Sequence, residues 1–298
     1  MEKINYTSKK MILAYFSGTG CTKMVCDCFE KGLLEAGVDC VKVNMAVCEP
    51  FDIGEADTII IFSPVYAFRL SSIAETWVKN LPRAENKSAI VISVSGGGEI
   101  SPNTACRIGC KRVLKRKGYN LIYEKMIVMP SNFAVQAEEN MNLALLLALP
   151  HKVNKIILDI LSGKKNIEHP KFIDRVFAAI GKAEHFGARF FGRFIRVSQK
   201  CNKCGVCVSN CPQKNIRIIN KVPKFGFQCI WCLKCIYNCS SKALSPGILK
   251  FSVLKSGFNL KKMNEKAMSR PVSTEYCHSE NMLWQGVADY LNDDDLHK

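Results

Sequence analysis

The chain has 298 residues, 48% of them hydrophobic and 23% charged, with a formal net charge of +16 and 16 cysteines. That balance is ordinary for a globular protein of two domains. The longest apolar stretch, 143–149, is too short to span a bilayer and stops at Pro150, and no recognition motif accompanies the positive charge, so membrane-spanning and nucleic-acid-binding classes are set aside. Met1 to Lys10 is polar and reads as no secretory signal. With so many unpatterned cysteines (Cys21, Cys26, Cys28, Cys40, Cys48, Cys106, Cys110 and Cys277 outside the two runs described below), a reducing, cytoplasmic setting is expected.

Met11-Ile-Leu-Ala-Tyr-Phe16 is a short apolar run of the kind a buried parallel strand requires. Ser17-Gly18-Thr19-Gly20-Cys21-Thr22 follows, then a helical pattern through Met24, Phe29, Leu33 and Leu34. Strand, hydroxyl- and glycine-rich loop and helix together describe a phosphate cradle, where backbone amides, hydroxyls and the helix dipole face an anion. A plain N-capping turn has the same local pattern. Further strands read at 38–43, 57–62, 89–94 and 121–128, with helices at 71–81 and 103–116. This alternation predicts an α/β doubly wound parallel sheet of five strands, with ligands at the carboxyl ends of its strands. The loops after the first, third and fourth strands are therefore expected to converge. The third carries Pro64, Val65, Tyr66, Ala67 and Phe68; the fourth carries Ser95, Gly96, Gly97 and Gly98. The glycines let backbone approach a flat ring, and Tyr66 or Phe68 would touch it, ordinary packing being the alternative for Tyr66.

Residues 141–161 read as helix broken at Pro150, and 162–170 as a polar linker turn. Residues 171–198 form a basic amphipathic pattern, with Phe172, Val176, Ile180, Ala183, Phe190 and Phe194 on one side and Arg175, Lys182, Arg189, Arg193 and Arg196 adding charge. Such a helix lies on a membrane surface or docks one module onto another. Gly181, Gly187 and Gly192 favour docking, because they weaken a free-standing helix.

Two cysteine runs follow at an offset of 28 residues: Cys201, Cys204, Cys207, Cys211 and Cys229, Cys232, Cys235, Cys239. Each has the C-x2-C-x2-C-x3-C spacing of bacterial ferredoxins, in which the fourth cysteine ligates the other cluster. One [4Fe-4S] cluster is thus assigned to Cys201, Cys204, Cys207 and Cys239, the other to Cys229, Cys232, Cys235 and Cys211. Tetrahedral zinc is the competing reading, but it leaves the third and fourth cysteine of each run without a reason. Ser240 stands where the first run has Pro212. Between the runs, Ile216-Arg-Ile-Ile and Val222-Pro-Lys-Phe read as a small hairpin. In the tail, 248–254 reads as a strand and 280–291 as a helix with Trp284 and Tyr290, before an acidic end at Asp293-Asp-Asp295. The adjacent Cys277 and His278 suggest no chemistry, nor do His151, His169 and His297, which read as lying in turns or the tail.

Residues 11–135 resemble a flavodoxin: Ser17 to Thr22 matches the phosphate loop [ST]-x-T-G-x-T, with Cys21 where asparagine is common. Together with the cysteine runs, the chain resembles the flavodoxin–ferredoxin fusion proteins of anaerobic bacteria and archaea, in which Tyr-Phe-Ser-Gly-Thr-Gly, Pro-Val-Tyr-Ala-Phe and a Gly-Gly-Gly loop recur in this order. The resemblance covers about 240 residues. It implies non-covalent FMN, with Ser17, Thr19, Gly20 and Thr22 at the phosphate, and Pro64 to Phe68 and Ser95 to Gly98 beside the isoalloxazine. The expected organisation is a flavodoxin-like domain (1–165), a helical linker (166–198), a two-cluster ferredoxin-like domain (199–245) and an extension of unassigned role (246–298).

The expected function is an electron relay between clusters and FMN, serving an external redox protein. Direct flavin reduction of a small-molecule acceptor such as a quinone is the alternative, and flavin sensing with structural clusters a second. No G-x-G-x-x-G follows a strand, which argues against a nicotinamide donor. Two clusters would remove about four positive charges and a flavin phosphate up to about two. The loaded protein stays basic and suits an acidic partner, with a membrane surface the lesser candidate and nucleic acid not expected.

Overall fold

The apolar run at 11–16 is buried throughout, and its two faces go to different helical layers. The structure, a computed structural model, describes residues 10–269 and 282–293. In chain order the first half comprises β1 (Met11–Tyr15), α1 (Cys21–Glu35), β2 (Cys40–Asn44), β3 (Thr58–Tyr66), β4 (Arg69–Leu70), α2 (Ser72–Asn80), β5 (Ser88–Ser95), α3 (Ile108–Arg116), β6 (Asn120–Val128) and α4 (Glu139–Leu161). The second half comprises α5 (Phe172–Phe194), β7 (Arg196–Val197), α6 (Val206–Ser209), β8 (Ile216–Ile219), β9 (Val222–Phe225), α7 (Lys234–Tyr237), β10 (Leu244–Ser245), α8 (Leu260–Ser269) and α9 (Gln285–Asn292).

The main sheet has the order β2-β1-β3-β5-β6, all parallel. This is the flavodoxin-like doubly wound order, with its switch point between β1 and β3. Alternation along β1 sends Met11, Leu13 and Tyr15 to the layer of α1 and α4. Ile12, Ala14 and the following Phe16 go to the layer of α2 and α3. With both faces covered, the central strands must be apolar at every position, and each fully buried Ile or Leu contributes about 1.5–3 kcal/mol.

Several expectations change. β3 does not stop at residue 62: it continues to Tyr66 and pairs with β4 across the two-residue turn Ala67–Phe68, whose φ values are 49° and 59°. A type I′ geometry without glycine or asparagine is strained, and the packing of α5 on it holds it in place. Pro150 does not break α4, which runs through it as one helix. Pro150 is exposed while Leu149, Lys152 and Val153 stay buried, so packing offsets the lost hydrogen bond. His151 therefore lies in a helix. Residues 248–254 are not a strand: a 3-10 turn spans Gly247–Ser252. Within the expected helix at 280–291, residues 282–284 form a 3-10 turn and α9 follows. Cys277, His278, His297 and the last two aspartates of the acidic end lie outside the described residues.

The linker is pinned to the sheet. Asn166 bridges Tyr123 in parallel, accepting from the Glu124 N–H (2.8 Å) and donating from its own N–H to Ile122 O (3.2 Å). This covers the open edge of β6. The carboxylate of Glu124, 1% exposed, accepts from Arg107 Nε (2.8 Å), from Lys111 Nζ and from the Glu168 N–H (2.7 Å). Arg107 is fully buried and also donates to Ser93 Oγ (2.7 Å) and Glu99. One carboxylate thereby joins α3, β5, β6 and the linker. The tail folds back: Ala267 of α8 enters the α1/α4 core, and Val287, Ala288 and Leu291 of α9 pack with Ala144 and Leu145 of α4 and Val128 of β6.

Helix α5 docks, but not by the face its periodicity proposed. Its buried positions are Asp174, Ala178, Gly181, Ala188, Phe191 and Gly192, while Phe172, Val176, Ile180 and Phe190 are exposed. Asp174 accepts from Ser101 Oγ (2.5 Å) and Thr104 Oγ1, and Arg69 Nη1 donates to Ala178 O (2.9 Å). At Gly181 a Cβ would lie 1.9 Å from Ala67 O, so the helix backbone rests on the β3–β4 turn. A close, polar, small-residue seam has displaced the larger apolar one.

Arg107→Met should lower unfolding stability by about 3–5 kcal/mol, because it strands a buried carboxylate. Urea denaturation of the variant measures this, and a loss under about 1 kcal/mol would show that Glu124 does not depend on that cation.

Candidate functional site

A cavity of about 390 Å³ opens at the carboxyl ends of β1, β3, β5 and β6. Its walls take in Ser17, Gly18, Thr19, Cys21 and Thr22 from the first loop and Pro64, Val65, Tyr66, Ala67 and Phe68 from the third, with Ser95 and Gly96 from the fourth. Three of the expected residues stand elsewhere. Gly20 is the N-cap of α1 and meets Leu260 of α8. Gly97 and Gly98 turn towards α9, where a Cβ on Gly98 would lie 2.5 Å from Gly286 O. Sequence reasoning missed the loop after β6 (Met129 to Phe133), and it missed Ile230, Trp231, Cys232 and Leu233 from the second cysteine run. The rule that ligands sit at strand carboxyl ends pointed to the loop after β6; nothing local pointed to the cysteine run.

The first loop is shaped for an anion. Gly20 has φ 112°, a left-handed position, and no side chain caps α1, whose first turn carries no acidic residue. The leading amides of that helix and its dipole are therefore open to a negative group. The Gly20 N–H donates to Ser17 Oγ (3.1 Å), which closes the loop, and Thr22 is 2% exposed beside it. Cys21 Sγ points to Pro130 O (3.8 Å), and burial pushes its thiol up to about 12. Burial, with Cys232 and Cys21 nearby, holds the Tyr66 phenol well above its usual pKa, so Tyr66 is a neutral hydroxyl.

The cysteine module meets this loop directly. A Cβ on Gly18 would lie 2.6 Å from Tyr66 Oη, 2.9 Å from Cys232 O and 3.2 Å from Cys232 Cβ. Only glycine allows that three-way approach. A polar chain reinforces it: Asn132 Nδ2 donates to Thr19 Oγ1 (2.5 Å), Tyr237 Oη donates to Asn132 O (2.7 Å), and the Leu254 N–H donates to Tyr237 Oη (2.9 Å). Trp231 stacks on Phe191 of α5 with ring centroids 4.9 Å apart and meets Phe133 edge-on at 5.6 Å.

Within the module, the 28-residue offset of the sequence is also an offset of backbone geometry. Left-handed φ values recur at Lys203 and Trp231 (61° and 58°), Gly205 and Leu233 (75° and 59°), and Lys214 and Lys242 (48° and 50°). Helices α6 and α7 obey the same offset. So do the antiparallel pairs: Ile216 opposite Phe225 in β8–β9 corresponds to Leu244 opposite Val197 in β10–β7. The hairpin was legible in sequence; the β7–β10 pair was not, though extending the repeat outward would have found it. The Asn215 N–H lies 3.3 Å from Cys211 Sγ and the Ala243 N–H 3.3 Å from Cys239 Sγ, again one repeat apart.

Cys211 acts electrostatically on Cys229, Cys232 and Cys235, although it belongs to the other run, Cys207 also acts on Cys235, and Cys201 and Cys204 act on Cys207. Burial pushes Cys229 up to about 11 and Cys232 up to about 12. At Cys239, burial opposes ionisation, but Ser241 Oγ and the Ala243 N–H at its sulfur bring the pKa below the ordinary thiol value. Among the described residues, no three or more His, Cys, Asp or Glu side chains are grouped closely enough to hold one metal ion.

No protein-family model matches the chain, and no curated protein does. Solved structures that align with it include flavodoxins. That of Megasphaera elsdenii, two-electron reduced, is 22% identical over 40% of this chain and 85% of its own, with a TM-score of 0.35. That of Streptococcus pneumoniae is 17% identical over 50% and 99%, with a TM-score of 0.38. A Fusobacterium nucleatum flavodoxin mutant bound to flavin mononucleotide is 18% identical over 53% and 98%, with a TM-score of 0.36. At these values the architecture rests on the strand order and register above rather than on the likeness.

Gly18→Ala should cost about 1–3 kcal/mol by overpacking and should raise amide exchange in 229–233, where the cysteine loop would have to lift. Unchanged exchange there would show that the loops do not depend on this contact. In iron-free protein at pH 8, iodoacetamide should modify Cys239 well before Cys232. A raised pKa lowers the thiolate fraction, to about 1 in 10⁴ for a thiol near 12, so Cys232 labelling should speed up about tenfold per pH unit. Equal labelling rates at pH 8 would contradict the assignment.

Proposed function

We propose that the chain is an electron-transfer protein that holds FMN in the cavity and two [4Fe-4S] clusters on the cysteine module, relaying electrons to or from an external redox protein. The observation that carries this reading is the close approach of the Cys232 loop to Gly18: a cluster ligand and the phosphate-loop backbone share one van der Waals boundary.

The residues present suit both groups. For FMN, the uncapped N-terminus of α1 with Ser17, Thr19 and Thr22 would take the phosphate, and Tyr66 with the backbone around Gly96 would border the ring. For the clusters, the donor set is all cysteine. Cys211 would complete the set of Cys229, Cys232 and Cys235, and Cys239 that of Cys201, Cys204 and Cys207, following the spacing of the two runs. Left-handed residues at 203, 205, 231 and 233 turn successive N–H groups into the concavities that suit anionic clusters. Tetrahedral zinc would leave the third and fourth cysteine of each run without a role, whereas a cube presents separate corners to all of them.

When bound, the clusters supply one-electron chemistry and the flavin one- or two-electron chemistry. The chain's own residues set the geometry. Ile230, Trp231 and Leu233 wall the cavity on the side of the cysteine module. Cys204 is the exposed cysteine of the first run and marks where a partner approaches. Lys200 and Lys203 beside it suit an acidic partner.

Protein purified without oxygen should show flavin and iron–sulfur absorption together. Cys211→Ala and Cys232→Ala should perturb the same EPR signal, and Cys204→Ala the other. Iron-loaded protein that never retains FMN would remove the flavin half of the proposal, zinc in place of iron would remove the cluster half, and Cys211→Ala acting with Cys204→Ala would overturn the crossed ligand sets.

A further inference from the structure

Helix α5 leaves a broad apolar surface outside the seam it buries. Phe172 is 80% exposed and Phe186 60% exposed, and Ile173, Val176, Ile180 and Phe190 are exposed with them. The surface extends onto the cysteine module, where Phe190 meets exposed Phe227 at 5.8 Å between ring centroids. A basic stripe runs along one flank: Lys171, Arg175, Lys182, Arg189 and Arg193 stand at intervals of four and seven residues. Two of its members lie against the aromatic surface, with Arg189 Cζ 5.7 Å from the Phe186 ring and Arg193 Cζ 4.7 Å from that of Phe227.

The charge around this face is mainly positive, with Glu184 within α5 and Glu49 and Glu75 lining the groove that Lys182, Phe186 and Arg189 border. From residue 185 to 264 the chain carries fifteen Lys and Arg and no Asp or Glu. Asp174, an acidic residue within the helix, is 1% exposed and held by Ser101 and Thr104. A second copy of the chain is disfavoured as the occupant, because a two-fold contact would bring like-charged stripes together. A transient electron-transfer partner is disfavoured too. Such encounters use small contacts, whereas the apolar row from Phe172 to Phe190 extends for about 27 Å along a convex helix.

We infer that the outer face of α5 lies on an anionic lipid surface, with Phe172, Ile180, Phe186 and Phe190 entering the headgroup boundary and the Lys/Arg stripe facing lipid phosphates. An apolar face of phenylalanines beside a basic flank is what an in-plane interfacial helix needs. The buried seam anchors α5 to the protein, so the helix is formed before it meets lipid.

The test is co-sedimentation of the full-length, cofactor-loaded protein with vesicles of phosphatidylcholine, with and without phosphatidylglycerol. Wild type should bind the phosphatidylglycerol vesicles, release as salt rises, and leave pure phosphatidylcholine vesicles bare. Phe186→Ser with Phe190→Ser should lower the bound fraction about tenfold or more, while keeping the wild-type absorption spectrum and melting temperature. Arg189→Gln with Arg193→Gln should also weaken binding, by about fivefold or more per charge, and flatten its salt dependence. The inference is overturned if wild type ignores anionic vesicles, or if the phenylalanine variant binds them as wild type does. It is equally overturned if the same variant instead abolishes a concentration-dependent dimer, or the capture of an acidic electron carrier, with no lipid binding by wild type.

Discussion

The governing constraint in this molecule is the meeting of the first loop, the Tyr66 hydroxyl and the Cys232 backbone at Gly18. The loop leaving β1, the end of β3 at Tyr66 and the second cysteine run at Cys232 come so near that a single carbon added at Gly18 would collide with both Tyr66 and Cys232. Two modules that could have been joined by a flexible tether are thereby held at one fixed separation. Asn132 and Tyr237 extend the same junction through hydrogen bonds from Thr19 to Leu254. The relay proposed above would need that rigidity, because electron hopping depends steeply on distance.

Behind the junction, buried charge does the aligning. Glu124, Arg107 and Lys111 tie the edge strand, α3 and the linker together, and Asp174 ties the head of α5 to the loop after β5. Such groups are costly to desolvate, and their directional hydrogen bonds set a register that apolar contacts alone would leave loose. The strained turn at Ala67–Phe68 belongs to the same arrangement: Gly181 rests on it, and Arg69 binds the helix backbone from it. Strain there places Tyr66 beside Gly18 and Cys232.

The cysteine module shows how a repeat can be more faithful in backbone than in side chains. Trp231 and Leu233 adopt left-handed conformations that their side chains disfavour, matching Lys203 and Gly205 one repeat earlier. Their rings and branches pack into the cavity wall and the Phe191 cluster, so the repeat that faces the first domain has become its lid. The repeat that faces solvent keeps glycine and lysine at the same positions.

Much was readable from the chain alone. A uniformly apolar strand run, a hydroxyl–glycine loop and two cysteine runs at constant offset are local patterns, and local patterns survive without tertiary context. They determined the parallel sheet, the glycine-led, uncapped head of α1 and the 28-residue repeat of the two runs. Tertiary structure decided which face of α5 is buried. Periodicity weighs apolar area, yet the seam was settled by how closely Gly181, Ala178 and a satisfied Asp174 could approach the β3–β4 turn. It also decided that Gly97 and Gly98 serve α9 rather than the cavity, and that Trp231 and Cys232 close the cavity. Those contacts join residues some two hundred positions apart, and no sequence window contains both partners.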